Sequence, residues 1–183
     1  MTPSAPLRAA AIALVACLVA PALPTPALAQ QQAPANPLDK IPEKMPFATP
    51  YGAPITLARA QEAIRAAEKE AAKRGWALNI AVVDPGGNLI AFSRMDGAQI
   101  ASISIAQHKA RTAATYRRPT KVFEDAVQQH GLLYITTLDD VIASRGGIPL
   151  IEHGHLIGAI GCSGGAGSQD EAACKAGAAT VNK

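Results

Sequence analysis

His108 sits in "SISIAQHKARTAATYRR", residues 102–118, among Ala, Ser, Thr and Ile and next to a cluster of cations. An imidazole can ligate a metal, titrate near neutrality or simply hydrogen-bond. Helical spacing groups it with Ser104, Arg111, Thr112 and Thr115, while Ile100, Ile103, Gln107, Ala110 and Ala114 form an adjoining, more apolar face. A face of Ser, His, Arg and Thr meets either water or a polar, anionic ligand. Periodicity alone favours water.

The other chemistry-bearing residues have plainer readings. Asp84-Pro85-Gly86-Gly87-Asn88 carries turn chemistry, with Asp84 expected to bond its own backbone. Arg145, before Gly146-Gly147, is equally suited to pairing a carboxylate and to a surface turn. The Gly164–Gly167 loop can hold an anion with its N–H groups but lacks the Lys-Ser/Thr of a phosphate loop. A capping box of Ser168 and Glu171 is the expected local structure. His153 and His155 flank a turn glycine with no third ligand apparent, and His130 follows a helix end. No zinc spacing, Ser–His–Asp set or nucleophile elbow appears, so the residues do not announce an enzyme.

The elements that must position these residues follow in order. "LARAQEAIRAAEKEAAKRG" reads as a helix after an N-cap at Thr56, with a Glu70–Arg74 pair and a stop at Gly75. "WALNIAVVD" and "NLIAFSRMD" are strands around a turn, followed by the His108 helix and the shorter helical "KVFEDAVQQ". "HGLLYITTLDDVIAS" is ambiguous. "GGIPLIEHGHLIGAIGCSGG" is a second hairpin, and an Ala-rich helix ends the chain. Hairpins separated by helices imply an α+β fold, an antiparallel sheet with helices packed on it.

Residues 1–29 combine Arg8, a short apolar run and a small-residue site at Ala27–Ala29, the pattern of a cleaved export signal. Leu14–Cys17 resembles a lipoprotein box, but the apolar "LVAPAL" that follows argues for ordinary export to the periplasm or exterior. Residues 30–54 hold six prolines without periodicity, a tether or strap ahead of a domain at 55–183. Removing 29 of 183 residues leaves 154, enough for one core, with 16 basic residues against 14 acidic. That balance gives no case for nucleic acid. Export allows Cys162 and Cys174 to pair, but two small buried thiols are the expected arrangement.

Three blocks, "IAVVDPGGNLIAFSRMDGA", "SISIAQHKARTAATYRRPT" and "GGIPLIEHGHLIGAIGCSGGAGSQDEAACKAGA", resemble the GlcG/HbpS family of haem-binding proteins. The related C-terminal domain of PduO-type corrinoid adenosyltransferases is similar too. The resemblance implies a profilin-like antiparallel sheet of about five strands flanked by helices, homo-oligomers, and haem or a similar tetrapyrrole as ligand. For exported members it implies storage, buffering or redox sensing of haem and iron, with a membrane sensor as partner. The family places a threonine of its K-A-x-T-A segment at the iron. Here Lys109-Ala110-Arg111-Thr112-Ala113 matches, so Thr112 carries that role by position and Lys109 belongs to the same haem-side segment. His108, one turn back, is the stronger iron ligand on chemical grounds. Arg111, Arg117 and Arg118 are placed to meet the propionates. The alternatives are a haem-degrading or peroxidase-like enzyme, a small-carboxylate or corrinoid-binding module, and a purely structural oligomer.

Overall fold

A computed structural model of the protein describes residues 41–45 and 47–182. The expected export signal at 1–29, Cys17 within it, and the first part of the Pro-rich stretch lie outside these residues. Helix α1 (Leu57–Lys73) turns Ala60, Ala63, Ile64, Ala67 and Ala71 inward, and Gly75 ends it at φ +68°. Thr56 is its N-cap residue, but the hydroxyl makes no cap bond; only its carbonyl takes the Ala60 N–H, at 2.9 Å. Glu70 and Arg74 pair at 2.8 Å as the i,i+4 spacing predicts.

Strands β1 (Asn79–Val83) and β2 (Leu89–Arg94) form the first hairpin. Asp84 closes its turn by accepting the Asn88 N–H at 2.9 Å. Helices α2 (Ser102–Thr115) and α3 (Lys121–Gln128) follow. The ambiguous segment becomes a 3₁₀ turn at Leu133–Thr137 and an irregular return to the sheet. Strands β3 (Gly147–Glu152) and β4 (His155–Ser163) and helix α4 (Gly167–Ala178) complete the fold.

The sheet is antiparallel with order β2-β1-β4-β3, four strands rather than about five. In place of a fifth, the second half of the Pro-rich stretch extends the row of β1 beside the start of β4. Gly52 donates to the Leu156 carbonyl at 2.7 Å and the Leu156 N–H to Pro50 at 2.8 Å, with a parallel bridge at Tyr51. Residues 47–54 are therefore a strap bonded to the sheet, not a free tether.

Alternation along β1 sends Ile80 and Val82 to one face, under α1 and α4, and Ala81 and Val83 to the other, under α2. The faces differ in bulk. The α1/α4 side is filled by Ile, Leu and Val; the α2 side is Ala against Ala, with glycines beneath. A Cβ at Gly161 would lie 2.2 Å from the Ala106 carbonyl oxygen, and one at Gly147 2.2 Å from that of Lys109. Helix α2 thus rests backbone on backbone.

This contact corrects the faces expected of α2 in part. Ala110 and Ala114 are buried as the apolar face predicts, but so are Ala106, Lys109, Thr112 and Ala113, whereas Ile100, just before the helix, is 73 % exposed. A helix seated on glycines has room only for small side chains beneath it, so the larger apolar residues sit outside. A second correction concerns the cysteines: Cys162 and Cys174 form a disulfide with Cα atoms 5.7 Å apart. The return through Gly164 and Gly165 folds α4 back over β4, bringing both into one core cluster. A staple of this loop length stabilises by about 3 kcal/mol. The expected capping box also shifts: α4 is capped at Ala166, and Gln169, not Glu171, accepts the cap N–H, at 2.8 Å.

Replacing Gly161 with Ala is expected to lift α2 and cost about 1–3 kcal/mol. Chemical denaturation of the variant checks this; an unchanged midpoint would contradict the backbone contact.

Candidate functional site

The outer side of α2 carries a hollow of about 300 Å³ lined by Ile103, Ser104, Gln107, His108, Arg111 and Asp140. Its size is at the lower end of small-ligand sites. His108 Nε2 is buried and makes no hydrogen bond among the described residues. A buried polar atom without a partner costs about 1–3 kcal/mol, and Asn79 Oδ1 on β1 is the other such side-chain atom among the described residues. Arg111 lies beside it, with its stem against Gly87, where a Cβ would come within 2.7 Å of Arg111 Cγ. Its guanidinium pairs loosely with Asp140, at 3.7 Å, and both side chains are about half exposed.

The other expected residues are placed differently. Lys109 is 1 % exposed and reaches past Gly146 to Asp170, with Nζ 2.7 Å from Oδ2. Burial pushes the Asp170 carboxyl up, against the pull of Lys109 and the Gly165 N–H. The pair pins α2 to the start of α4, and Lys109 does not line the hollow. Thr112 is fully buried; its hydroxyl donates to the Asp140 carbonyl at 2.6 Å and accepts the Ile142 N–H at 3.2 Å.

Arg117 and Arg118 meet the strap. Arg117, at φ +55°, donates to the Thr49 carbonyl at 3.2 Å and lies over the Tyr51 ring. Arg118 stacks on Phe47, with Cζ 3.7 Å from the ring centroid. Burial and the adjacent Arg117 both lower its pKa from the ordinary arginine value. Tyr51 Oη donates to the Thr115 carbonyl at 2.6 Å, closing the strap over the end of α2. His108 and Arg111 therefore share one hollow, and Thr112, Lys109, Arg117 and Arg118 do not line it.

The anion site considered at Arg145 and the glycine loop is filled from within. Arg145 Nε and its backbone N–H bond Glu124 at 2.6 and 2.7 Å. The Gly165 and Ala166 N–H groups are taken by Asp170 and Gln169. His153 and His155 are exposed on their turn, and among the described residues no three His, Cys, Asp or Glu side chains gather as a metal site.

Sequence reasoning missed Asp140, Glu124 and Asp170, whose roles come from long-range pairing. It also missed Phe47 and Tyr51, for which a signal existed: aromatics are scarce here, with three Phe, three Tyr and one Trp. A larger hollow, about 650 Å³ and lined in part by Trp76, Met95, Arg65 and Lys69, lies between α1 and the end of β2. It was not foreseen either.

Residues 55–179 match the family described as haem-degrading protein HbpS-like. The chain belongs to that HbpS-like family. Escherichia coli K12 GlcG is 43 % identical over 100 residues, covering 55 % of this chain and 74 % of GlcG. A double mutant of Streptomyces reticuli HbpS superposes with a TM-score of 0.65 at 31 % identity, covering 79 % of this chain and 97 % of that one. A solved complex of PduOC with haem superposes with a TM-score of 0.64 at 28 % identity, covering 70 % and 96 %. Haem thus attaches to the family by description and to a structural neighbour by its complex.

The Glu124–Arg145 pair makes a pH prediction. Burial raises the Glu124 pKa, but the bonds from Arg145 outweigh it, and the carboxyl titrates below the ordinary glutamate range. Its stabilisation is present above the unfolded value of about 4.3 and is lost as pH falls through the depressed folded value. Glu124→Gln is expected to lose about 1–3 kcal/mol at neutral pH, with the gap closing in acid. Denaturant midpoints measured across pH check this; a gap that is constant with pH would contradict it.

Proposed function

We propose that this protein binds haem at the α2 hollow, with His108 at the iron and Arg111 toward a propionate. One observation carries the reading: His108 lines the hollow, and its Nε2, closed to solvent, has no hydrogen-bond partner among the described residues, so a turn of the ring would offer it to a ligand. The residues fit one edge of the group, since a hollow of about 300 Å³ takes part of the ring and leaves the rest over the surface. His108 supplies a nitrogen donor, Ile103 an apolar wall and Arg111 a cation suited to carboxylates. Bound there, haem supplies a redox-active iron in a flat apolar ring bearing two carboxylates.

The chain's own part is to hold and orient. The glycine-seated backbone of α2 fixes where the imidazole stands, so little conformational entropy is lost at His108 on binding. Thr112 is not an iron-side donor while its hydroxyl is committed to Asp140 and Ile142. Arg117 and Arg118 serve propionates only if the strap yields them.

The wider role we propose is storage, buffering or sensing of haem and iron outside the cytoplasm, by homo-oligomers and with a membrane sensor as partner. The Cys162–Cys174 disulfide supports an oxidising compartment. The family description favours a second reading, haem degradation. Asp140 is then the acid–base group on the hollow, and peroxide-driven turnover above that of free haemin is its signature.

Titration of residues 30–183 with haemin, read at the Soret band, tests the site. Wild type is expected to saturate stoichiometrically, and His108→Ala to bind about tenfold or more weaker, the effect of losing a metal ligand or its support. Equal binding by both would remove His108 and point to the Met95 hollow. No saturable shift in either would remove haem.

A further inference from the structure

Asp140 touches α2 twice, through its side chain and through its backbone. The carboxylate faces Arg111 at 3.7 Å, and the carbonyl oxygen accepts the Thr112 hydroxyl at 2.6 Å. Two residues on, the Ile142 N–H donates to the same hydroxyl at 3.2 Å, and one residue back the Asp139 carbonyl accepts Tyr116 Oη at 2.7 Å. Residues 139–142 are therefore held to α2 by a handful of polar contacts. Asp140 sits at φ +56°, a conformation that Asp and Asn adopt more readily than other non-glycine residues. Leu138, Asp139 and Asp140 are all exposed. A segment with few buried contacts belongs to the part of a fold that opens at low cost.

We propose that Asp140 is a carboxylate-sensitive latch: an anionic ligand that takes Arg111 expels the Asp140 side chain, releases residues 139–142 and bares the Thr112 hydroxyl. The inference rests on the haem reading of this hollow and adds a selectivity to it. A ligand carboxylate on Arg111 replaces Asp140 as the counter-ion and repels it, because like charges at one cation destabilise each other. The pair it displaces is weak, since both partners are about half exposed and open to solvent screening. A ligand shifts such an equilibrium only by its differential affinity for the open form, and the carboxylate provides that difference. Thr112, sealed when the latch is closed, becomes a second polar contact only for ligands that carry the acid. The hollow therefore prefers tetrapyrroles with free carboxylates over their esters.

The latch is tested on the whole mature chain with haemin and haemin dimethyl ester, following hydrogen exchange at the Ile142 amide and Soret-monitored affinity. Haemin is expected to speed Ile142 exchange at saturation, while the ester binds more weakly and leaves Ile142 protected. Asp140→Asn keeps the backbone conformation and removes the charge. It is expected to bind haemin about two- to fivefold tighter, the range of one exposed ion pair, with no gain for the ester. Tyr116→Phe loosens the same segment without touching Arg111 and is expected to raise Ile142 exchange in the free protein. An Ile142 amide that stays protected in haemin-saturated protein would overturn the latch while leaving haem binding intact. Equal behaviour of haemin and its ester would overturn it too. No saturable binding of either compound would overturn the latch and the haem reading together.

Discussion

The contact of α2 with the glycines of β3 and β4 is the constraint from which the rest of the site follows. Side-chain packing normally keeps a helix about 10 Å from a sheet. Here Gly147 and Gly161 lie where any Cβ would strike the carbonyl oxygens of Lys109 and Ala106. Apart from Lys109, only Ser, Ala and Thr are buried on the helix, and the larger residues Ile103, Gln107 and His108 are left on its outer side. Lys109 is the exception: it passes beside Gly146 to reach Asp170 and ties the helix to the start of α4. Breaking a buried pair of this kind costs about 3–5 kcal/mol, because the surviving charge stays in the interior.

Against this fixed helix lie two coverings of a different character. The strap at 47–54 is bonded to β4 and holds Arg117 and Arg118 through Phe47, Thr49 and Tyr51. The 139–142 segment holds Thr112 and Arg111 through Asp140. Both occupy polar groups that a carboxylate-bearing ligand would use. The packed part of the fold carries His108, and these two segments occupy the other polar groups near it. Division of labour between a rigid scaffold and loops of low local stability is common at binding sites.

Much of this was legible in the sequence. Periodicity found the helices, turn chemistry found both hairpins, and their order gave the α+β class. The faces of α2 were not legible, because hydrophobic size is a poor guide where a helix packs on glycine. Ile103 was grouped with the apolar face and Thr112 with the polar one; the structure leaves Ile103 half-buried on the hollow and buries Thr112 completely. The Lys109–Asp170 pair was not legible, because Asp170 lies far along the chain. The disulfide depended on how tightly the Gly164–Gly165 return folds, which spacing alone does not fix. His108 was legible as a chemical type on α2; that its Nε2 is buried without a partner among the described residues required the neighbours that three-dimensional packing supplies.

The claim that α2 exists to present His108 to a ligand is tested most directly by a crystal structure of the mature protein loaded with haemin. The account predicts iron within bonding distance of His108 Nε2, with α2 still seated on Gly147 and Gly161. Iron bound at Met95 or at a subunit interface, with His108 Nε2 still lacking a partner, would contradict it.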